Sequence, residues 1–221
     1  MREGGRRTAK ILQQLAEMVR PGITPKDISK KAAELMKKAG LQTVVLGYDG
    51  FPDVMCISVN ENIVHGVPSS KKLKAGDVVK LDLTPAYKNL VLDTAITVVV
   101  GDKPSADVKR LVEGTKKSLD AAIAAIHGDG TRVGDISAAA EDVMNRYKLG
   151  IIRDLVGHGL GYNIHEEPNI PNYGVAGTGP ILHEGMTIAI EPMAALGDWH
   201  ITEAKDGQTI AMADGSLGAH F

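Results

Sequence analysis

Apolar residues at Leu12, Leu15 and Val19 recur at helical spacing, and Pro21-Gly22 ends that stretch. A second helix begins at once. Thr24 is suited to the N-cap, Pro25 to the first helical position and Asp27 to the positive helix end, while Gly40 supplies the stop after the stripe Ile28, Ala32, Leu35 and Met36. Val108, Leu111, Val112, Leu119, Ile123 and Ile126 mark a long helix, and Ile136, Ala140, Val143, Met144 and Tyr147 another. Between and after them, the runs Val78 to Asp82, Leu90 to Val100 and Met186 to Glu191 are rich in β-branched residues and predict strands.

This pattern repeats. Shifted by 108 positions, Gly22, Asp27, Ile28, Ser29, Ala32 and Met36 meet Gly130, Asp135, Ile136, Ser137, Ala140 and Met144. Shifted by 109, Leu73, Gly76 and Asp82 meet Leu182, Gly185 and Glu191, with Val79 against Ile188 and Leu81 against Ile190. Two independent matches at nearly one shift favour duplication over chance alignment. A duplicated chain predicts a pseudo-two-fold axis that brings the Asp82 and Glu191 strand ends together at the centre.

Composition narrows the class. The 221 residues, 43% of them hydrophobic, suit one substantial soluble domain with an ordinary core. We expect a single domain over 1–221, with halves of about 1–104 and 105–221. A formal charge of −2 gives no general electrostatic pull towards nucleic acid or an anionic membrane. The longest apolar run, Ala95 to Val100, is far short of the ~20 residues that span a bilayer. The polar start from Met1 to Arg7 lacks an apolar signal core, and a lone cysteine, Cys56, excludes an internal disulfide framework. The reading is cytoplasmic.

Candidate chemistry lies in the acids and imidazoles. Asp82 and Asp93 are eleven residues apart, with turn residues from Thr84-Pro85 to Lys88-Asn89 between them, so a hairpin is expected to set the two carboxylates opposite one another. Strand-end acids pointing into solvent would need no partner. Here the flanks Leu81, Leu83 and Leu92 are apolar, and close carboxylates in such surroundings must share a proton or hold a cation. The segment from Gly157 to Pro168 presents His158 and His165 among glycines. Glu191-Pro192 closes an apolar strand, and His65-Gly66-Val67-Pro68 places a further imidazole at a turn. A mixed oxygen and nitrogen set without thiolate suits catalytic Mn, Fe, Co or Zn rather than a structural cysteine site. Two such ions would polarise a scissile carbonyl and activate water.

The ordered motifs resemble the type I methionine aminopeptidases across essentially the whole chain. Carrying the likeness are Tyr48-Asp49-Gly50-Phe51-Pro52, Cys56 to Glu61, His65 to Pro68, Asp82 with Asp93, Gly157 to Gly161 with His165 to Pro168, and Gly185-Met186 through Glu191-Pro192. The resemblance implies a pita-bread fold of the α/β (α+β) class, with two pseudo-symmetric halves and a central, mostly antiparallel sheet covered by helices. It implies two divalent ions held by Asp82, Asp93, His158 and Glu191, with Asp93 bridging. It gives His65 and His165 catalytic contacts to substrate, and sets Tyr48, Phe51 and Cys56 around the methionine side chain. The implied reaction is removal of the N-terminal methionine from nascent polypeptides, with the ribosome as the place of action, by a monomer.

Three departures qualify the resemblance. The family's fifth ligand, a glutamate, follows the stretch that Gly215 to Phe221 resembles, so the chain is expected to lack that ligand and the last strand. Its front end also looks clipped relative to the family. Gln208 stands where the family commonly has tryptophan. Alternatives are an X–Pro-cleaving relative, which the context of His65-Gly66-Val67-Pro68 disfavours, and a catalytically impaired binding module of the same fold.

Overall fold

The computed structural model describes residues 1–221. Four long helices, α1 (Arg2–Met18), α2 (Pro25–Ala39), α3 (Ala106–Ala124) and α4 (Val133–Arg146), pack on a set of short antiparallel sheets. Helix α1 buries Thr8, Ile11, Leu12 and Leu15, and the chain turns extended at Val19, before Pro21. Helix α2 starts as its sequence dictates. The Thr24 hydroxyl accepts from the Asp27 N–H, the Asp27 carboxylate accepts from the Thr24 N–H, and Gly40 closes the helix at φ 67°. Such a cap is worth ~1 kcal/mol.

Each helix pair covers its own core. In the first half Leu15, Ile28, Ala32 and Met36 meet Val79, Leu81 and Leu83 of the strand Val78–Leu83. In the second, Leu111, Ile136, Ala140 and Met144 meet Ile151, Leu182 and Ala194. A small cluster that includes Ile63, Ile152, Met193 and Met212 joins residues of both halves.

The halves share local geometry down to single hydrogen bonds. Gly22 N donates to the Leu73 carbonyl, and Gly130 N donates to that of Leu182. Leu73 N donates to Ile23, and Leu182 N to Thr131. Both loop glycines sit at φ near 90°, a region open chiefly to glycine.

Strand detail departs from the expected pattern in three places. The run from Leu90 to Val100 is interrupted at Leu92-Asp93, giving Leu90–Val91 and Thr94–Val99. The run from Met186 to Glu191 holds only the two-residue strand Ile188–Ala189. Asp82 and Asp93 are not opposite each other. Asp82 pairs with Ala95 and, on its other side, with Cys56. The hairpin turns through Lys88 and Asn89, at φ 51° and 62°, and its register carries Tyr87 to Leu90 and Leu83 to Thr94. That register leaves the two acids diagonal, with Thr84 between them.

Candidate metal centre

All nine residues singled out by sequence line one cavity of roughly 170 Å³. Asp82 and Asp93 enter it from the first half, His158 and Glu191 from the second. Ligand atoms of Asp93, His158 and Glu191 lie within 4.8 Å of one another. His158 Nε2 is 3.1 Å from Glu191 Oε1 and 3.9 Å from Asp93 Oδ2. The Thr84 hydroxyl stands 3.3 Å from Asp93 Oδ1 and 3.5 Å from Asp82 Oδ1, a donor between two acceptors.

The glycines around His158 have a packing cause. A Cβ on Gly157 would run into the Ala189 carbonyl, and one on Gly159 into that of Glu167. The strand Gly157–Gly159 can therefore lie between Glu166–Ile170 and Ile188–Ala189 only without side chains at those positions. That closeness brings His158 to Glu191. The His158 Nδ1 is 2.8 Å from the Gly159 carbonyl oxygen, which can only accept, so Nδ1 carries the proton. In the neutral ring, Nε2 then turns a lone pair towards the carboxylates.

Charge is badly balanced without a cation. Burial pushes Asp82 up to about 6, and Asp93 well above the carboxylate range, with Asp82 and Glu191 adding to the latter. Burial would raise Glu191 too, but contacts from His158 and His220 outweigh it and hold it down at about 2. Burial alone would lower His158, yet Glu191 raises it. Glu191 Oε1 is buried with no hydrogen-bond partner. An orphaned carboxylate oxygen, an imidazole lone pair and two crowded carboxyls fit a divalent cation, which would replace mutual repulsion by coordination.

Beside this cluster the cavity is apolar. Phe51 and Cys56 are buried, and burial, with Asp82 and Asp93 nearby, pushes the Cys56 thiol far up, so it behaves as a neutral packing group rather than a nucleophile. Tyr48 lies at the rim, its hydroxyl 3.3 Å from His165 Nδ1. The His165 ring stands edge-on to that of His158, with centroids 4.5 Å apart. His65 is presented at φ 54°, outside the usual region for a side-chain-bearing residue. Gln208 also lines the cavity and donates to the Asp49 carbonyl at 3.1 Å.

Sequence reading missed two neighbours of the centre. By sequence Thr84 reads as a turn residue, yet its place two residues beyond Asp82 puts it on the same side of the strand. His220 carried no signal: a single imidazole at the end of a short apolar run has no period to reveal which way it faces.

The match to known proteins spans the chain. Residues 1–218 match the model of metallopeptidase family M24. Methionine aminopeptidase A of a Synechocystis species is 40% identical over 222 residues, covering 100% of this chain and 87% of the relative. Methionine aminopeptidase 1 of Bacillus subtilis is 38% identical, covering 100% and 88%. The crystal structure of methionine aminopeptidase from Thermotoga maritima superposes with a TM-score of 0.96 at 40% identity, covering 100% of this chain and 88% of that one. A prolidase from Pyrococcus furiosus, at 22% identity and a TM-score of 0.73, shares the fold over 99% of this chain and 58% of its own. The two-halved antiparallel arrangement is thus the pita-bread fold, and this chain belongs to the methionine aminopeptidases of metallopeptidase family M24.

Proposed function

We propose that the chain removes the N-terminal methionine of proteins and peptides by metal-dependent hydrolysis. The observation that carries this reading is the convergence of Asp93, His158 and Glu191 on one point beside an apolar recess bordered by Phe51 and Cys56. In this reading Asp82, Asp93, His158 and Glu191 would hold two divalent ions drawn from Co, Mn, Fe or Zn. When bound, such ions polarise a carbonyl and lower the pKa of water.

The chain's own groups do the rest. Nδ1–H of His158, fixed on the Gly159 carbonyl, holds Nε2 ready as a donor atom. Tyr48, Phe51 and the neutral Cys56 receive the methionine side chain; burying an apolar side chain of this size is worth ~1.5–3 kcal/mol. His65 and His165 stand at the mouth, where imidazole N–H groups reach the carbonyl oxygen of the first residue and steady it as charge develops there.

We read residues 1–221 as one catalytic domain with halves of 1–104 and 105–221, acting as a monomer in the cytoplasm on emerging polypeptide N-termini, at the ribosome. No helix is long and apolar enough to cross a membrane. Hydrolysis of Met-Ala-Ser and an Ala-Pro peptide, with Co or Mn added and then chelated, tests the activity. Methionine release that disappears with chelator supports it. Faster cleavage of the proline peptide, or no tight divalent site by calorimetry, overturns it.

A further inference from the structure

Glu191 is flanked by two imidazoles, and only one belongs to the ligand set above. His158 Nε2 lies 3.1 Å from Glu191 Oε1, whereas His220 Nε2 lies 3.4 Å from Glu191 Oε2. His220 is 2% exposed and neither of its ring nitrogens has a hydrogen-bond partner. A buried imidazole left unpaired is unfavourable by several kcal/mol in an apolar medium, so such a group is retained where a partner closes on it. The sole anionic group within 4 Å of it is Glu191.

The backbone leaves little freedom in where this ring sits. The strand Gly218–His220 pairs with Met193–Ala195, setting His220 opposite Met193 two residues beyond Glu191. The His220 N–H donates to Thr97 Oγ1 at 2.9 Å, and that hydroxyl donates to the His220 carbonyl at 2.6 Å. His220 does not line the cavity. It approaches Glu191 from behind, from the protein side rather than the substrate side.

We propose that His220 is a positioning residue for the metal centre: its Nε2–H donates to Glu191 Oε2 and leaves Oε1 turned to the cation beside His158 and Asp93. At 3.4 Å and off the hydrogen-bond axis, the contact closes with a small rotation of the glutamate. The two imidazoles then divide the work. His158 spends its N–H on the Gly159 carbonyl and offers a lone pair, while His220 offers its N–H and so selects which carboxylate oxygen is free. A glutamate with three side-chain torsions and one untethered oxygen would otherwise sample several orientations, and partners of this outer kind typically change metal affinity 10–100-fold.

The inference rests on the metal-centre reading given under Proposed function, and the test separates the two. The 221-residue chain and its H220L, H220Q and H220N variants are titrated with Mn(II) or Co(II) alone by calorimetry, with Co(II) visible absorption and circular dichroism recorded alongside. Glutamine carries an N–H donor at nearly the reach of the imidazole Nε2, and asparagine falls short. We expect H220L and H220N to bind the first ion ~10–100-fold more weakly, and H220Q to bind close to wild type with an unchanged Co(II) band. Should H220L fail to fold, the glutamine and asparagine pair decides alone. Wild-type affinity in H220N overturns the proposal. So does an H220Q that loses affinity and shifts the Co(II) band, because His220 would then be a direct ligand. A wild-type chain that takes up no divalent ion removes the metal centre itself, and this role with it.

Discussion

Replacing Asp82 by asparagine should stabilise the metal-free chain at neutral pH while weakening its grip on metal. Asp82 lies in the strand Val78–Leu83, between Cys56 and Ala95, and it faces Asp93, Glu191, His158, His220 and the Thr84 hydroxyl. Burial pushes it up to about 6, from near 4 in an unfolded chain, which at ~1.4 kcal/mol per pH unit caps the cost of its charge at ~3 kcal/mol. The side chain opens partly on the cavity and shares the cost with Asp93 and Glu191, so about half that value is expected, roughly 1.5 kcal/mol. For a chain of this size that corresponds to a Tm about 3–6 °C higher in EDTA at pH 7.5. The sign follows from the raised folded-state pKa. The folded chain binds more protons than the unfolded one between about 4 and 6, so the penalty is complete above about 6, shrinks as pH falls through that value and is gone below about 4. Melting curves by circular dichroism at pH 7.5 and 4.5 read it out. Saturating Mn(II) should reverse the order, since an ion at 100 times its Kd adds ~2.7 kcal/mol to wild type and less to the variant. A D82N chain that melts no higher than wild type in EDTA, or gains as much from Mn(II), refutes the reasoning.

Three further outcomes follow from the same geometry. His158→Gln should leave melting within a few degrees of wild type, because glutamine nearly matches the buried imidazole in size, but reduce Met-Ala-Ser hydrolysis by at least ~100-fold, because the Nε2 donor is lost; activity near wild type would remove His158 from the centre. Gly66→Ala should lower stability by ~1–3 kcal/mol in thermal unfolding, since its Cβ would lie 2.5 Å from the Ile57 carbonyl oxygen and 2.6 Å from Ser58 Cα, both rigid backbone. An unchanged Tm would contradict it. Lys80 is 1% exposed, its ammonium donates to the Asn60 carbonyl at 2.7 Å, and burial pushes it down to about 7. The unfolded chain keeps that proton to about 10, so wild type should gain on Lys80→Met as pH rises from 7 to 9, by at most ~1.4 kcal/mol per pH unit. Urea unfolding at the two values checks it, and a flat difference would show that the carbonyl acceptors hold the charge fully.

The helices were legible because their signals are local. Thr24, Pro25, Asp27 and Gly40 each act within one turn of α2, and all four sit in the roles their chemistry dictates. The repeat was legible because Gly22 and Gly130, and Gly76 and Gly185, mark equivalent turns at positive φ. Strand register was less accessible. The hairpin between Asp82 and Asp93 turns through Lys88-Asn89, a pair without the glycine that announces a two-residue turn, and a shift of two positions separates opposed acids from diagonal ones. The acids and imidazoles of the cavity stand out by residue type and setting, and Tyr48, Phe51 and Cys56 by family resemblance alone, whereas Thr84 and His220 need the sheets in place. Nothing in a sequence tells a strand-end histidine which carboxylate it will meet.

Equivalent positions in the two halves have been given opposite electrostatic fates. Asp82 and Glu191 follow corresponding turns, Gly76 and Gly185, and both reach the centre, yet one is pushed up to about 6 and the other held at about 2. Strand pairing differs, Asp82 lying in a strand paired on both sides and Glu191 beyond the short strand Ile188–Ala189, but no backbone hydrogen bond sets the charge state of either carboxyl. The neighbours do. Around Asp82, His220, His158 and the Thr84 hydroxyl offset burial and Glu191 only in part, while Glu191 lies 3.1 Å from His158 Nε2 and 3.4 Å from His220 Nε2. Glu191 is therefore held down by contact with the two imidazoles of its own half, whereas burial leaves Asp82 and Asp93 raised, a state that a cation or a proton relieves. The two-halved fold supplies two strand ends at one place, and it is their unequal furnishing that sets one raised and one lowered carboxyl side by side, with Glu191 Oε1 still unpaired and open to a cation.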